Sequence, residues 1–260
     1  MNILAFDTCF GSCSVALSWQ QSSDIAVPET RRHSYVSRFE RMEKGQAERL
    51  VPMIGEVLAE ASIGIEKVDR IIVTTGPGTF TGIRIGVGAA RALSLATGAK
   101  VAGVGSLTLL ARQVRERLLR ERCVEVFGPD AGAPPKWILE EFARRDIAIA
   151  IDARREEIYF QLFGGDHYSA LTEPLLVKCE RAVAYLSNRE TLVAGSGAAR
   201  LAAAAQAAGR ELTARFHDLE PDARYLTSYT QEPGLDSVRP LYLRAPDAKP
   251  QDGKSLPRAQ

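Results

Sequence analysis

Three histidines, four cysteines and two tryptophans are all that 260 residues contain of those types. His33, His167 and His217 stand far apart, and no pair has the close spacing of metal ligands on one turn or helix. Cys9 and Cys13 form one Cys-x3-Cys pair without a matching second pair, so small buried thiols beside a turn suit the pattern better than a zinc site. No apolar run approaches the roughly 18 residues that cross a bilayer, which argues against a spanning helix. The first ten residues carry Asp7 and lack the basic and long apolar segments of an export signal. The expectation is a cytoplasmic protein with reduced thiols and no membrane association. A strong charge of one sign is missing too. The 33 basic and 32 acidic residues leave a net charge of +1, which argues against a broad nucleic-acid surface but leaves room for a local patch. A Gly-x-Ser-x-Gly nucleophile motif is also absent.

What the chain does have is apolar residues, 45% of the total, in short patterned stretches. Ile3 to Phe6 reads as a strand running into Asp7 and Thr8, followed by a small-residue turn and a second strand from Cys13 to Trp19, as in a hairpin. A third strand is expected between Asp24 and Val36. Gly45 to Ala61 has helical spacing, with Ala47, Leu50, Val51, Ile54, Leu58 and Ala61 on one face and Met53 and Val57 widening it. Pro52 should kink that helix or mark a restart. A buried strand, Asp69 to Thr75, leads through Gly76-Pro77-Gly78-Thr79-Phe80-Thr81 into a helix from about Gly82 to Thr97. Val101 to Val104 is another strand, and Ser106 reads as the N-cap of a helix to about Arg120.

Residues 121–146 read as an insertion, with loop chemistry followed by an amphipathic segment from Trp137 to Ala143. Ile147 to Ile151, a turn at Asp152, and Glu157 to Phe163 then repeat the opening order of strand, aspartate, turn and strand. Thr191 to Ala194 runs into Gly195-Ser196-Gly197 and an Ala-rich helix. The division expected is an N-terminal lobe (1–120), a linker (121–146), a C-terminal lobe (147–244) and a flexible tail (245–260).

The helix after the Gly-rich turn poses an energetic question. Interior glycine costs about 1 kcal/mol relative to alanine, so Gly86 and Gly88 together cost about 2 kcal/mol. Small residues allow close approach of another backbone, either the protein's own sheet or a second chain, and both can hold on different sides. Gly82 is followed by Ile83 and Arg84, not the Lys-Ser/Thr of a P-loop. Asp7 and Asp152 each end a strand at a turn, where they either cap the turn or take part in a metal and phosphate site. The run Arg112 to Arg122 mixes Arg and Glu at i,i+4 spacing, which reads as a solvated face before it reads as a nucleic-acid contact.

Four segments together resemble the TsaB (YeaZ) family: Ile3-Leu4-Ala5-Phe6-Asp7-Thr8, the run from Gly76 to Gly86, Ile151-Asp152-Ala153-Arg154-Arg155, and Pro240-Leu241-Tyr242-Leu243-Arg244. The resemblance implies an α/β, two-lobed fold of the actin, sugar-kinase and heat-shock-70 (ASKHA) type. It also implies a subunit for making threonylcarbamoyladenosine beside the tRNA anticodon, paired with TsaD, which carries the metal and the catalysis. TsaE would join them, and tRNA would be met through the complex. TsaD-type chains carry His-x3-His after the strand matching Val101–Val104, where this sequence reads Gly105-Ser106-Leu107-Thr108-Leu109-Leu110. No catalytic residue, metal or required cofactor is therefore expected here. Weak ATP or ADP binding would fall to a vestigial site at Asp7, Thr8, Asp152, Gly195 and Gly197. By the same resemblance the pairing surface is Leu50, Met53, Ile54 and Val57 with Gly86, Ala89, Ala90 and Leu93, used for a homodimer when the chain is alone. The rival classes are an ATPase of the same superfold and a peptidase.

Overall fold

The computed structural model describes residues 1–20, 33–165, 169–227 and 238–244. It contains two five-stranded mixed sheets. In the first, β1 (Ile3–Asp7) is central. It pairs antiparallel with β2 (Ser12–Gln20), which pairs antiparallel with β3 (His33–Arg41). On its other side β1 pairs parallel with β4 (Arg70–Thr74), which pairs parallel with β5 (Lys100–Val104). The second sheet repeats this plan. Its central strand is β6 (Asp146–Asp152), with β7 (Glu157–Phe163) and β8 (Leu175–Lys178) added antiparallel. On the parallel side lie β9 (Thr191–Ala194) and β10 (Thr213–Arg215). The echo between the two hairpins thus extends to whole sheets, in keeping with the two-lobed fold that the resemblance implies.

Helices cover both faces of each sheet. Helix α1 (Gln46–Ala61) and helix α2 (Phe80–Thr97) bury Leu50, Met53, Ile54, Val57 and Ala90 against Leu4, Phe6, Val15 and Val73. Pro52 sits inside α1, which is one helix and not two. Helix α2 starts before Gly82, because the Thr79 side chain accepts the Gly82 N–H at 3.1 Å and caps it.

Helix α3 (Ser106–Phe127) lies between the sheets. Its Leu109 packs under the first sheet, and Leu110, Val114, Leu118 and Cys123 pack under the second. It runs past Arg120 to Phe127, so the first part of the 121–146 stretch is core helix and not linker. Helix α4 (Lys136–Ala143) adds Ile138 and Phe142 to the same core. The solvated-face expectation for 112–122 fails in part, because Gln113, Arg115, Leu118 and Leu119 are buried. Glu121 pairs with Arg215, while Arg122 pairs with Glu125 and Glu141. Ser106 is the first helical residue and not the cap, and its hydroxyl donates to the Pro77 carbonyl. Helices α5 (Cys179–Val183) and α6 (Ala198–Ala207) cover the far face of the second sheet.

The third strand begins at His33, later than expected, and residues 21–32 lie outside the described ones, as do His167 and the 245–260 tail. None of the described helices is long and apolar enough to cross a membrane.

Candidate functional site

The turn after β1 is closed from above by the Gly-rich turn and the start of α2. Cβ atoms built on Gly78 and Gly82 would overlap the carbonyl oxygens of Cys9 and Thr8, and one on Gly86 would lie 2.9 Å from Thr8 Oγ1. This close approach explains the glycines: Thr8 Oγ1 donates to the Gly82 carbonyl at 2.7 Å, and Thr79 N–H donates to the Cys9 carbonyl at 2.8 Å. Gly88, by contrast, faces open space.

Asp7 and Thr8 are fully buried by this arrangement. Asp7 accepts the Thr74 hydroxyl on Oδ1 and the Cys9 N–H on Oδ2 at 3.2 Å. Burial pushes the Asp7 carboxyl up to about 7, partly offset by those two donors. Cys9 donates to Thr74 Oγ1 at 3.2 Å, and burial beside Asp7 holds its thiol well above the usual range. Burial likewise pushes Cys13 up to about 12. Neither thiol is poised as a nucleophile.

The equivalent turn in the second lobe is open. Asp152 is half exposed, pairs with Arg200 at 3.0 Å, and accepts the Arg154 N–H at 3.1 Å. The residues after it, Arg154, Arg155 and Glu156, all have left-handed backbone angles. Ser196 Oγ accepts the Asp152 N–H at 2.9 Å, and Gly197 N–H donates to the Ala150 carbonyl at 2.9 Å. Gly195 and Gly197 lie tight against β6. Of the five residues expected to form a nucleotide site, two are sealed in, two pack against a strand, and Asp152 alone presents a charged group to solvent. Among the described residues no three metal-ligating side chains come together.

The expected pairing surface needs correction. Leu50, Met53, Ile54, Val57, Gly86 and Ala90 are buried against the protein's own sheet, and Ala89 and Leu93 are only partly exposed. The outward side of the two helices is Val51, Gly55 and Ala59 on α1 with Gly88, Ala92 and Leu95 on α2. Leu95 is 91% exposed and Val51 66%. The helical spacing places Val51 on the apolar face of α1 with Leu58, seven residues on, yet the side chain points outward because it lies at the edge of that face. Leu95 is apolar and out of phase with the core face of α2.

Two later segments complete the site, and neither is anticipated by the sequence pattern. Residues 216–227 return from the second lobe to the first, where Ser14 Oγ donates to the Pro221 carbonyl at 3.0 Å and Gln113 grips Glu220 and Asp222. Glu220 accepts the Gly11 N–H at 2.9 Å, and burial raises its carboxyl. Residues 238–244 form a strap over the Gly-rich turn. Leu241 N–H donates to the Thr75 carbonyl at 2.7 Å, and Arg244 reaches the Ala153 carbonyl at 2.8 Å and Glu157 at 2.6 Å in the other lobe. Pro240 to Arg244 stands out in the sequence, but nothing in its pattern discloses its position across the lobes.

Comparison with known proteins adds what geometry cannot. A family model described as TsaD, tRNA N6-adenosine threonylcarbamoyltransferase, matches residues 40–122. That span holds no histidine and no cysteine. The tRNA threonylcarbamoyladenosine biosynthesis protein TsaB of Haemophilus influenzae is 27% identical, with 94% of each chain covered. TsaB of Escherichia coli is 32% identical over 112 residues, 43% of each chain. Among solved structures, YeaZ from Pseudomonas aeruginosa matches with a TM-score of 0.62 at 26% identity, covering 87% of this chain and 89% of that one.

Proposed function

Because the chain belongs to the TsaB (YeaZ) family, we propose that it serves tRNA threonylcarbamoyladenosine biosynthesis as a non-catalytic subunit that binds and activates TsaD. The reaction is threonylcarbamoylation of the adenosine next to the anticodon. The observation that carries this reading is the outward face of α1 and α2, which sets small residues beside an almost fully exposed Leu95 and leaves open space over Gly55 and Gly88. Such a face lets a second pair of helices approach closely. TsaD is its partner in the working complex, TsaE joins that complex, and tRNA is engaged by the assembly. A second copy of this chain takes the face when TsaD is absent.

In this reading the chain needs no cofactor, and the metal belongs to TsaD. The lack of histidine and cysteine in the span matched by the TsaD model supports that division. The closure over Asp7 and Thr8 counts against the ATPase alternative, because neither side chain is accessible to a nucleotide.

Co-expression with TsaD from the same organism, followed by a tRNA modification assay with and without this chain, tests the proposal. A stable heterodimer and modification dependent on both chains are expected. Val51→Glu and Leu95→Glu should each abolish co-elution while leaving the isolated chain's melting temperature unchanged, since an unpaired charge in a buried interface costs several kcal/mol. Wild-type co-elution of both variants would show that the pairing surface lies elsewhere. Leu50→Glu and Ala90→Glu are unsuitable, because their charges would enter the protein's own core.

A further inference from the structure

Thirteen large apolar side chains are exposed among the described residues, and five of them, Val124, Val126, Phe127, Trp137 and Leu139, fall within one short stretch. They stand where the end of α3 meets α4, on the second lobe, whereas α1 and α2 belong to the first. Phe127 and Trp137 form the centre of the group. Their rings meet edge to face with centroids 6.4 Å apart, and each remains about half exposed. Exposed apolar side chains scattered singly need no explanation, but a group built around two aromatic rings marks an interaction surface.

A hollow lies beside this knob. Val124, one turn before Phe127 on the same side of α3, lines a cavity of about 250 Å³ together with Leu119, Cys123, Pro129, Ala131 and Pro134. A dry cavity of about 150 Å³ already holds benzene, so this one has room for an aromatic ring. A knob and a hollow on one patch fit each other across a two-fold axis, the ring of each copy entering the hollow of the other. That is the self-complementarity an isologous contact needs. Charge agrees with it. Glu116 and Arg120 stand at the rim of the hollow, and Lys136 and Glu140 pair at the foot of the knob. Each place carries an acid and a base, and residues 116–140 hold five acidic and four basic side chains. The patch therefore faces its own copy without a field of one sign, whereas a strongly acidic or basic partner finds no match there.

We propose that this patch is a self-association surface in its own right, in which Phe127 and Trp137 of one copy seat in the hollow between α3 and the 129–134 loop of a second copy. It is separate from the outward face of α1 and α2, so neither contact depends on the other.

Sedimentation velocity of the full chain carrying V51E/L95E, over a wide range of concentration, is the test, because those two charges remove self-contact through α1 and α2. A reversible monomer–dimer equilibrium should remain. Trp137→Ser in the same background should weaken dimerisation by about 30-fold or more, the loss typical of a buried aromatic anchor. Gly132→Arg should weaken it too by filling the hollow, which Gly132 also lines. A Cβ added at Gly132 meets nothing within 4 Å, so this variant still reports if Trp137→Ser loosens α4. A V51E/L95E chain that stays monomeric at every concentration overturns the proposal, as does dimerisation unchanged by both further variants. If Trp137→Ser leaves dimerisation alone but abolishes co-elution of the otherwise wild-type chain with TsaD, the patch belongs to that partner and the proposal fails as well. Normal co-elution of Val51→Glu and Leu95→Glu with TsaD would move the pairing surface and leave the effect of Trp137→Ser on dimerisation standing, so the two ideas fail separately.

Discussion

In the first lobe the turn after β1 is packed shut, whereas the matching turn after β6 in the second lobe stands open to solvent. The two sheets have the same strand order and directions, and each central strand ends in an aspartate. Even the glycine that opens the second turn has the same left-handed backbone, φ 105° at Gly76 and 108° at Gly195. What differs is how far the following helix descends. Gly78, Gly82 and Gly86 let α2 settle onto Thr8 and Cys9, burying Asp7. In α6 the corresponding start carries Arg200, which reaches out to Asp152 and stays half exposed. One backbone plan therefore gives one sealed turn and one accessible turn, and the choice lies in a few side chains.

The sharpest way to break the closed turn is Gly82→Ala. The added methyl would collide with a backbone oxygen, which cannot swing aside as a side chain can, so a loss of about 3 kcal/mol or more is expected by urea melt. Gly88→Ala on the same helix meets nothing and should hold or slightly raise stability. Equal losses from both would mean that the helix tolerates substitution of glycine poorly everywhere, and that the closure is incidental.

This contrast marks how far the sequence can be read. Hairpins, helices and the repeat of strand, aspartate and turn are visible because alternation and 3.6-residue spacing are local properties. The burial of Gly86 and the exposure of Gly88 are not, since both glycines cost the same in a helix and only the tertiary approach of Thr8 separates them. The most apolar side of α1 suggests a pairing face, although the most apolar side of a helix turns first toward its own sheet. Leu50 and Met53 point inward for that reason, and Val51 and Leu95 are left outside. The 121–146 stretch looks like an insertion because Gly128 to Pro135 is loop chemistry. Cys123, Ile138 and Phe142 on either side of it belong to the core of the second lobe.

The closed turn should also reveal itself through pH. Burial raises the Asp7 carboxyl from 3.8 to about 7. Between those values the folded protein binds a proton that the unfolded chain has released, so this residue makes stability fall as pH rises from about 4 to about 7. A change of this size is worth on the order of 4 kcal/mol. Asp7→Asn should flatten that segment of the stability–pH curve. A wild-type slope that survives Asp7→Asn would assign the effect to other groups, with Glu220 the first to consider.

The open turn predicts the smallest effect. Asp152→Asn removes the exposed ion pair with Arg200 but keeps a side-chain oxygen to accept the Arg154 N–H. An exposed pair of this kind contributes up to about 1 kcal/mol and is screened by salt. The variant should therefore lose less than about 1 kcal/mol in a urea melt at low salt, and almost nothing at high salt. A salt-independent loss of about 2 kcal/mol or more would mean that Asp152 works as Asp7 does, holding a buried turn together. The two lobes would then differ in surface detail only, and the accessible aspartate would no longer set the second lobe apart.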